Sequence, residues 1–320
     1  MLSGLSVSML AVFAIAGVLL DLALGEAQRW HPLVGFGNLA HRAERWLNRS
    51  SYLISRGALA WLLVVMPPVV VAICMLTWFT RLATPIGWWL AALLHVLLLY
   101  FSIGLRSLHD HLLPIAAALH GQDLPLARTL TARIVSRDTT DANSSDLAKA
   151  GVESLLENGN DAVFGTLFWF VVAGGPGALL FRLANTLDAM WGYRSARYLR
   201  FGRVAARLDD ALNWLPARLT ALSYAALGNT RCALACWRAQ APTWTSPNAG
   251  PVMASGAGAL GLALGGAACY DGVLESRPVL GVGKPAEAGD IDRAWYLVLK
   301  TCFLWLSVFA LISVSICLKG

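Results

Sequence analysis

Charge is what this chain lacks. Only 14% of its 320 residues are Asp, Glu, Lys or Arg, against 57% hydrophobic residues, and the mean hydropathy is +0.58. That balance excludes a soluble globular protein of this size, whose surface must be far more polar. Paired cysteines are lacking too. The six are scattered, three of them (Cys74, Cys302, Cys317) inside apolar runs, and the one close pair, Cys232 and Cys236, does not have zinc spacing. All six read as structural thiols of a protein whose active face meets a reducing compartment. No Walker lysine motif exists, because Gly281-Val-Gly-Lys284 is followed by Pro285. No basic residue stands between Met1 and Ser8 and no clear cleavage pattern follows, so the first apolar run reads as a retained helix rather than a signal peptide. The net charge of +6 comes from arginines distributed among loops, with no basic tract or aromatic-spaced platform, which excludes a nucleic-acid partner.

What is present is hydrophobic length. Apolar runs near residues 3–24, 57–79, 84–105 and 294–317 each approach the roughly 20 residues that a bilayer core requires. A fifth, 162–182, is interrupted by Gly174-Gly-Pro176-Gly. Arg29, Arg42, Arg45, Arg49 and Arg56 follow the first run, so the positive-inside rule puts the N-terminus outside. Three spans then bring 106–161 inside, with Arg81 in a short outer turn. If 162–182 also spanned, the most Arg-rich segment would lie outside; a re-entrant hairpin at 162–182 avoids this. The expectation is an all-α, polytopic membrane protein forming one domain over 1–320. It has about four spans, a re-entrant Gly/Pro-broken segment, and a cytoplasmic region, 106–293, whose helices carry the site.

Within that region, Asn143-Ser-Ser145 supplies N-cap candidates for a helix with Leu147, Val152, Leu155 and Leu156 on one side. At about 100° per residue, Asp146, Glu153, Glu157 and Asp161 fall within about an 80° arc on the other. Acids at i,i+4 repel, so the stripe calls either for a divalent cation or for solvent and Lys149 to screen it. Farther on, Arg197, Arg200, Arg203 and Arg207 share about a 120° arc if their segment is helical. Such a stripe can grip phosphates or face anionic headgroups. Asp188, Asp209 and Asp210 lie nearby in sequence, as a second ligand set or as ion-pair partners. Ser246-Pro-Asn248 reads as a turn. Gly256-x-Gly-x-x-Gly261 has the dinucleotide-binding pattern but no preceding strand, and reads as small-residue helix packing. His109-Asp-His111 reads as decoration at a helix end, and His31-Pro32 as a turn. Asp21 near the end of the first run is either functional or interfacial.

Several of these residues fall in blocks that resemble the adenosylcobinamide-phosphate synthase (CobD/CbiB) family over nearly the whole chain. The blocks are Leu20-Asp21-Leu-x-Leu-Gly25, His31-Pro32, Val135-Ser-Arg137-Asp138-Thr139, Val152-Glu153-Ser-x-x-Glu157-Asn158-x-x-Asp161 and Asn185-Thr-Leu-Asp188-x-Met-x-Gly-Tyr193. Ala206-Arg207-x-Asp209-Asp210-x-x-Asn213-x-x-Pro216-Ala-Arg218 and Ser246-Pro247-Asn248-Ala follow. Departures from the family pattern are Glu26-Ala27, Gly159, and Gly250-Pro-Val-Met after Asn248-Ala.

The resemblance implies ATP-dependent amide ligation in cobalamin biosynthesis. A propionate carboxylate of adenosylcobyric acid would be joined to aminopropanol or its O-phosphate, giving adenosylcobinamide or its phosphate. It also implies a bacterial inner-membrane location with a cytoplasmic active face, magnesium arriving with ATP, and other membrane-associated cobamide-assembly enzymes as partners. On that basis Glu153, Glu157, Asp161 and Asp188 are the expected magnesium set. Arg137, Arg197, Arg207 and Arg218 would bind phosphate or carboxylate, Arg207 also serving catalysis. Asp209 or Asp210 would take a proton from the attacking ammonium. Asn158, Asn185, Asn213 and Asn248 would orient corrinoid amides, with Asp138 and Ser246 in the same binding group. A corrinoid or small-molecule transporter, or a non-enzymatic sensor or scaffold, is the rival reading. Charge gathered in loops rather than at membrane depth speaks against the transporter, and retention of the acids and arginines against the scaffold.

Overall fold

A computed structural model describes residues 5–26, 31–49, 53–270 and 273–318. Arg29, Ala27 and the first residues of the 3–24 run lie outside the described residues. The chain folds as two compact units: residues 1–104, 165–213 and 306–320 form the first, and residues 105–164 and 214–305 the second.

The first unit contains α1 (Val7–Leu24), α2 (Pro32–Leu47), α3 (Leu53–Arg81), α4 (Pro85–Ser102) and α8 (Gly165–Trp191), with the start of α9 (Arg203–Leu227) and the end of α12 (Ala288–Cys317). Side-chain caps fix where these helices start. Ser6 accepts from Met9 N–H, and Thr84 from Gly87 N–H with Pro85 at the first helical position. His31 is a cap as well, its Nδ1 accepting from Leu33 N–H ahead of Pro32, which gives the His-Pro pair a specific local role. α3 continues through Pro67 and Pro68, a pairing tolerated in apolar spanning helices. The core holds Phe36, Trp61, Leu183, Leu187, Trp191 and Phe201, contributed by α2, α3, α8 and the segment before α9. Asp21 is buried within α1, at 1% exposure.

α8 is two helices joined at a break. Ala173 and Gly174 have non-helical backbone angles, and Gly174 takes φ 66°, a conformation that favours glycine. His95 of α4 meets the break, its Nδ1 accepting from Gly175 N–H at 2.9 Å. The interruption expected at Gly174-Gly-Pro-Gly is therefore real. Among the described residues five helical stretches, against about four expected, are long and apolar enough to cross a membrane: 7–24, 53–81, 85–120, 144–191 and 288–317. The fourth contains the segment read from sequence as re-entrant, so by length and composition it qualifies as a span.

The second unit contains α5 (Leu105–His120), α6 (Leu124–Thr131), α7 (Ser144–Asn158), the rest of α9, α10 (Thr230–Gln240), α11 (Ala249–Leu260) and most of α12. α7 begins where its sequence signal stands, with Asn143 accepting from Asp146 N–H. It ends in a π-helical turn, Gly159–Phe164. α11 carries the Gly256-x-Gly-x-x-Gly261 run as a packing surface: Gly256 lies against Leu156 of α7 and Gly258 against Ala233 of α10. Short strands, absent from the all-α expectation, follow it. β1 (Leu262–Gly265) lies between β4 (Val279–Leu280, antiparallel) and β5 (Lys284–Pro285, parallel), while β2 (Ala268–Tyr270) pairs with β3 (Val273–Glu275).

Candidate active site

The second unit is organised around a buried acid. Glu153 projects from α7 with a side chain only 4% exposed. An ionised carboxylate is tolerated at such depth only when paired and hydrogen-bonded, and Glu153 is both. Its Oε2 accepts from Arg137, Arg277 Nη2 lies 3.3 Å from Oε2 and 3.4 Å from Oε1, and Oε1 accepts from Gly265 N–H at 2.7 Å. Arg277 Nε also donates to Gly266 O at 3.2 Å, and its guanidinium sits 5.6 Å above the Trp244 ring centre. Glu153 thus clasps the end of β1, the segment after β3 and the loop before α7. Its burial rules out for Glu153 the solvated-face alternative weighed against a divalent cation for this stripe. Asp146, its side chain 47% exposed, lies 3.3 Å from Lys149 Nζ.

The rest of the acidic block lies at the end of α7. Glu157 is half-buried one turn beyond Glu153, and Asn158 is exposed, with Nδ2 donating to Ser154 Oγ. In the π-helical turn the buried Asn160 accepts from Thr220 Oγ1 at 2.9 Å and donates to Asp161 Oδ1 at 2.9 Å, which orients the half-buried Asp161. π-helical turns recur at functional sites, and this one depends on Gly159. A Cβ there would meet Tyr224 Oη at 2.8 Å and Val298 at 3.1 Å, which explains the glycine in packing terms.

Arg137 also lines a cleft of about 200 Å³ with Asp138, Asp141, Asp146, Lys149 and Cys269. Asp138 N–H donates to Cys269 O, and the Asp138 carboxylate accepts from Thr140 N–H at 2.8 Å, which holds its carboxyl below the usual range. Elsewhere in the unit Arg218 of α9 holds the turn before α11. It donates to Asn248 Oδ1 at 2.9 Å and to Pro247 O at 3.1 Å, and lies 4.4 Å above the Trp214 ring centre. Ser246 Oγ accepts from Asn248 and Ala249 N–H, so its hydroxyl shapes the turn.

The first unit holds the remaining candidates. Asn185 Nδ2 lies 3.3 Å from Asp209 Oδ1, joining α8 to the start of α9. Asp209 and Asn213 are buried on α9, Asp188 and Asp210 are half-buried, and Arg207 is exposed. With about 100° per residue, Arg207 faces away from Asp209 and Asn213. The four-arginine stripe is corrected here: α9 starts at Arg203, and Arg197 and Arg200 lie in the preceding turn. Arg197 is engaged by Glu44 of α2, with Nε 3.0 Å from Oε1 and Nη2 2.7 Å from Oε2. Sequence reasoning missed Arg277, Glu44, Thr220 and His95. Only Glu44, a lone acid among the α2 arginines, carried a usable signal in its sequence neighbourhood.

The fold is that of a multi-pass helical membrane protein, and two of its buried helical acids, Glu44 and Glu153, are each paired with arginines from connecting loops. Comparison with known proteins makes this specific. The family model described as CobD/Cbib protein matches residues 14–298. "Cobalamin biosynthesis protein CobD" of Stutzerimonas stutzeri is 54% identical over 92% of this chain and 95% of its own length. Its namesake from Chromobacterium violaceum is 51% identical over 92% and 94%, and that of Rhodobacter capsulatus 35% over 95% and 98%. No solved structure matches. The chain belongs to the CobD/CbiB family, and its role lies in cobalamin biosynthesis.

Proposed function

We propose that this protein is an ATP-dependent ligase that joins a propionate carboxylate of adenosylcobyric acid to the amine of aminopropanol or its O-phosphate. A carboxylate is a poor acyl donor. Its oxygen would attack the γ-phosphorus of ATP, releasing ADP and leaving an acyl phosphate; the amine would then attack the acyl carbon, forming the C–N bond and expelling inorganic phosphate. Such a reaction requires cations to oppose the phosphate charge and oxygen donors for the nucleotide's metal.

What supports this reading most is the placement of Glu157 at the end of α7, one turn after the Glu153–Arg137–Arg277 clasp, and of Asp161, held by Asn160, four residues on in the π-helical turn. Among the described residues no group of three or more His, Cys, Asp or Glu side chains is placed to hold a metal by itself. That donor set fits magnesium, which ordinarily takes one or two protein carboxylates and completes its shell with water and phosphate oxygens. Glu157 and Asp161 would hold it. When bound, the ion neutralises phosphate charge. Glu153, with both oxygens engaged, organises Arg137 rather than ligating. Arg137 and Arg218 would bind phosphate or carboxylate, with Arg218 keeping Asn248 in place for an amide of the corrinoid. In the first unit, Asp209 or Asp210 is the candidate acceptor for the ammonium proton, and Asn185 and Asn213 are amide-binding candidates; Asp188 is kept as a further acidic candidate.

The test is direct. Purified protein is incubated with adenosylcobyric acid, ATP, magnesium and either amine, and the corrinoid is weighed by mass spectrometry. The proposal expects a mass gain equal to the amine less one water, dependent on ATP. An unchanged corrinoid with both amines sinks it.

A further inference from the structure

α2 presents two chemically opposed faces. One is packed: Phe36, Ala40 and Leu47 enter the first unit's core. Glu44 lies on the same side and is 2% exposed. The other face carries Arg42 and Arg45, with Arg49 two residues past the helix end, and at about 100° per residue these three fall within roughly a 60° arc. The only acid on the helix, Glu44, is taken by Arg197 and by Asn48, whose Nδ2 lies 2.8 Å from Oε1. Among the described residues no carboxylate pairs with Arg42, Arg45 or Arg49, so this face carries net positive charge.

The same face also exposes large apolar side chains. Trp46 is 69% exposed, Val34 65% and Leu39 47%. Arginines alone would suit water, and apolar groups alone would suit a protein partner. Tryptophan and leucine interleaved with arginine suit the headgroup level of a bilayer, where rings enter the acyl boundary and guanidinium groups meet phosphates. The position in the chain agrees, since α2 lies between α1 and α3, both long and apolar enough to span. Room for a headgroup exists beside Arg197. One cleft of about 530 Å³ is lined by His41, Arg42 and Arg45 with Arg197, and another of about 580 Å³ by Arg45, Asn48 and Arg49 with Arg197.

We propose that the exposed face of α2, with the two clefts flanking the Arg197–Glu44 pair, is a docking surface for the phosphate headgroups of anionic phospholipids. Glu44 fixes Arg197 as the shared wall, Arg42, Arg45 and Arg49 supply the attraction, and Trp46 sets the depth. Basic residues near a surface attract anionic lipid cumulatively, so the effect belongs to the set and not to one side chain.

The experiment uses the full-length protein reconstituted in vesicles containing equal parts of phosphatidylglycerol and phosphatidylcholine, then extracted in mild detergent, with retained lipids counted by native mass spectrometry. Wild type is expected to retain phosphatidylglycerol several-fold over phosphatidylcholine. R42Q/R45Q/R49Q should bring the ratio to near one, while R42K/R45K/R49K keeps most of it and W46S lowers retention of both lipids. An added arm washes the wild type with inorganic phosphate: persistence of the lipid supports the proposal, and full displacement shows a site for free phosphate and overturns it. Equal retention of the two lipids by wild type overturns it without reference to any variant, so a failure of the triple substitution to fold cannot shelter it.

Discussion

Replacing Glu153 by glutamine separates an organising role from a ligating one. Glu153 is 4% exposed, and Arg137 and Arg277 are 12% and 16% exposed at the side chain, so the amide leaves two cations facing each other in a largely dry environment. Removing one partner of a buried ion pair costs about 3–5 kcal/mol. Glutamine keeps an oxygen for Gly265 N–H, so the further ~1–3 kcal/mol of an unmet buried donor is avoided. At ~2 °C per kcal/mol for a chain of this size, thermal unfolding in detergent, followed by near-ultraviolet circular dichroism, should shift down by roughly 6–10 °C. Adding Arg277→Met should recover part of that loss by removing one of the two cations that faced Glu153, a non-additivity that a double-mutant cycle measures directly. The reasoning is refuted if E153Q unfolds at the wild-type temperature while losing ligase turnover, because the carboxylate would then be free for a ligand.

Glu157→Gln and Asp161→Asn should behave oppositely: unfolding temperature near wild type, but turnover down by about 10²–10³-fold, the usual scale for removing one preorganised electrostatic group, with the loss partly offset by raised magnesium. Thr220→Val removes the hydroxyl that orients Asn160 and through it Asp161. It should raise the KM for nucleotide more than it lowers kcat, which steady-state kinetics against a magnesium–ATP titration can check. Glu44 gives a pH prediction. Burial by itself would raise its carboxyl, but the hydrogen bonds from Arg197 and Asn48 outweigh that and hold it below the ordinary glutamate value. Its contribution to stability is therefore complete above about 4.3, the unfolded value, and is lost as pH falls through the lower folded value. E44Q should flatten the acid limb of a stability–pH profile.

Much of the fold was legible because it follows from local rules. Hydrophobic length found four of the five long apolar helical stretches, though it read the fifth as re-entrant and ended the third early; Asn143 marked the start of α7, and Gly174-Gly-Pro marked the break in α8. The small strands after α11 were not, since runs of two to four residues among glycines carry no periodicity. At the site, spacing placed Glu153, Glu157 and Asp161 on one stretch but could not show that Glu153 turns inward. Its burial is decided by Arg277, more than a hundred residues distant, and by Gly265 N–H, and neither contact leaves a trace in local pattern. The arginine stripe failed for a related reason. Arg197 is drawn to the buried Glu44, and the chain from Gly192 to Gly202 forms turns that a helical wheel cannot represent.

The central claim, that nucleotide energy activates a corrinoid carboxylate for amide formation, is tested most directly by following that carboxylate's oxygen. Adenosylcobyric acid carrying heavy oxygen in the reacting propionate is turned over with ATP and amine, and the released inorganic phosphate is analysed by mass spectrometry. One heavy oxygen per phosphate is the predicted result. Unlabelled phosphate accompanying amide formation, or amide formed without ATP, would contradict it.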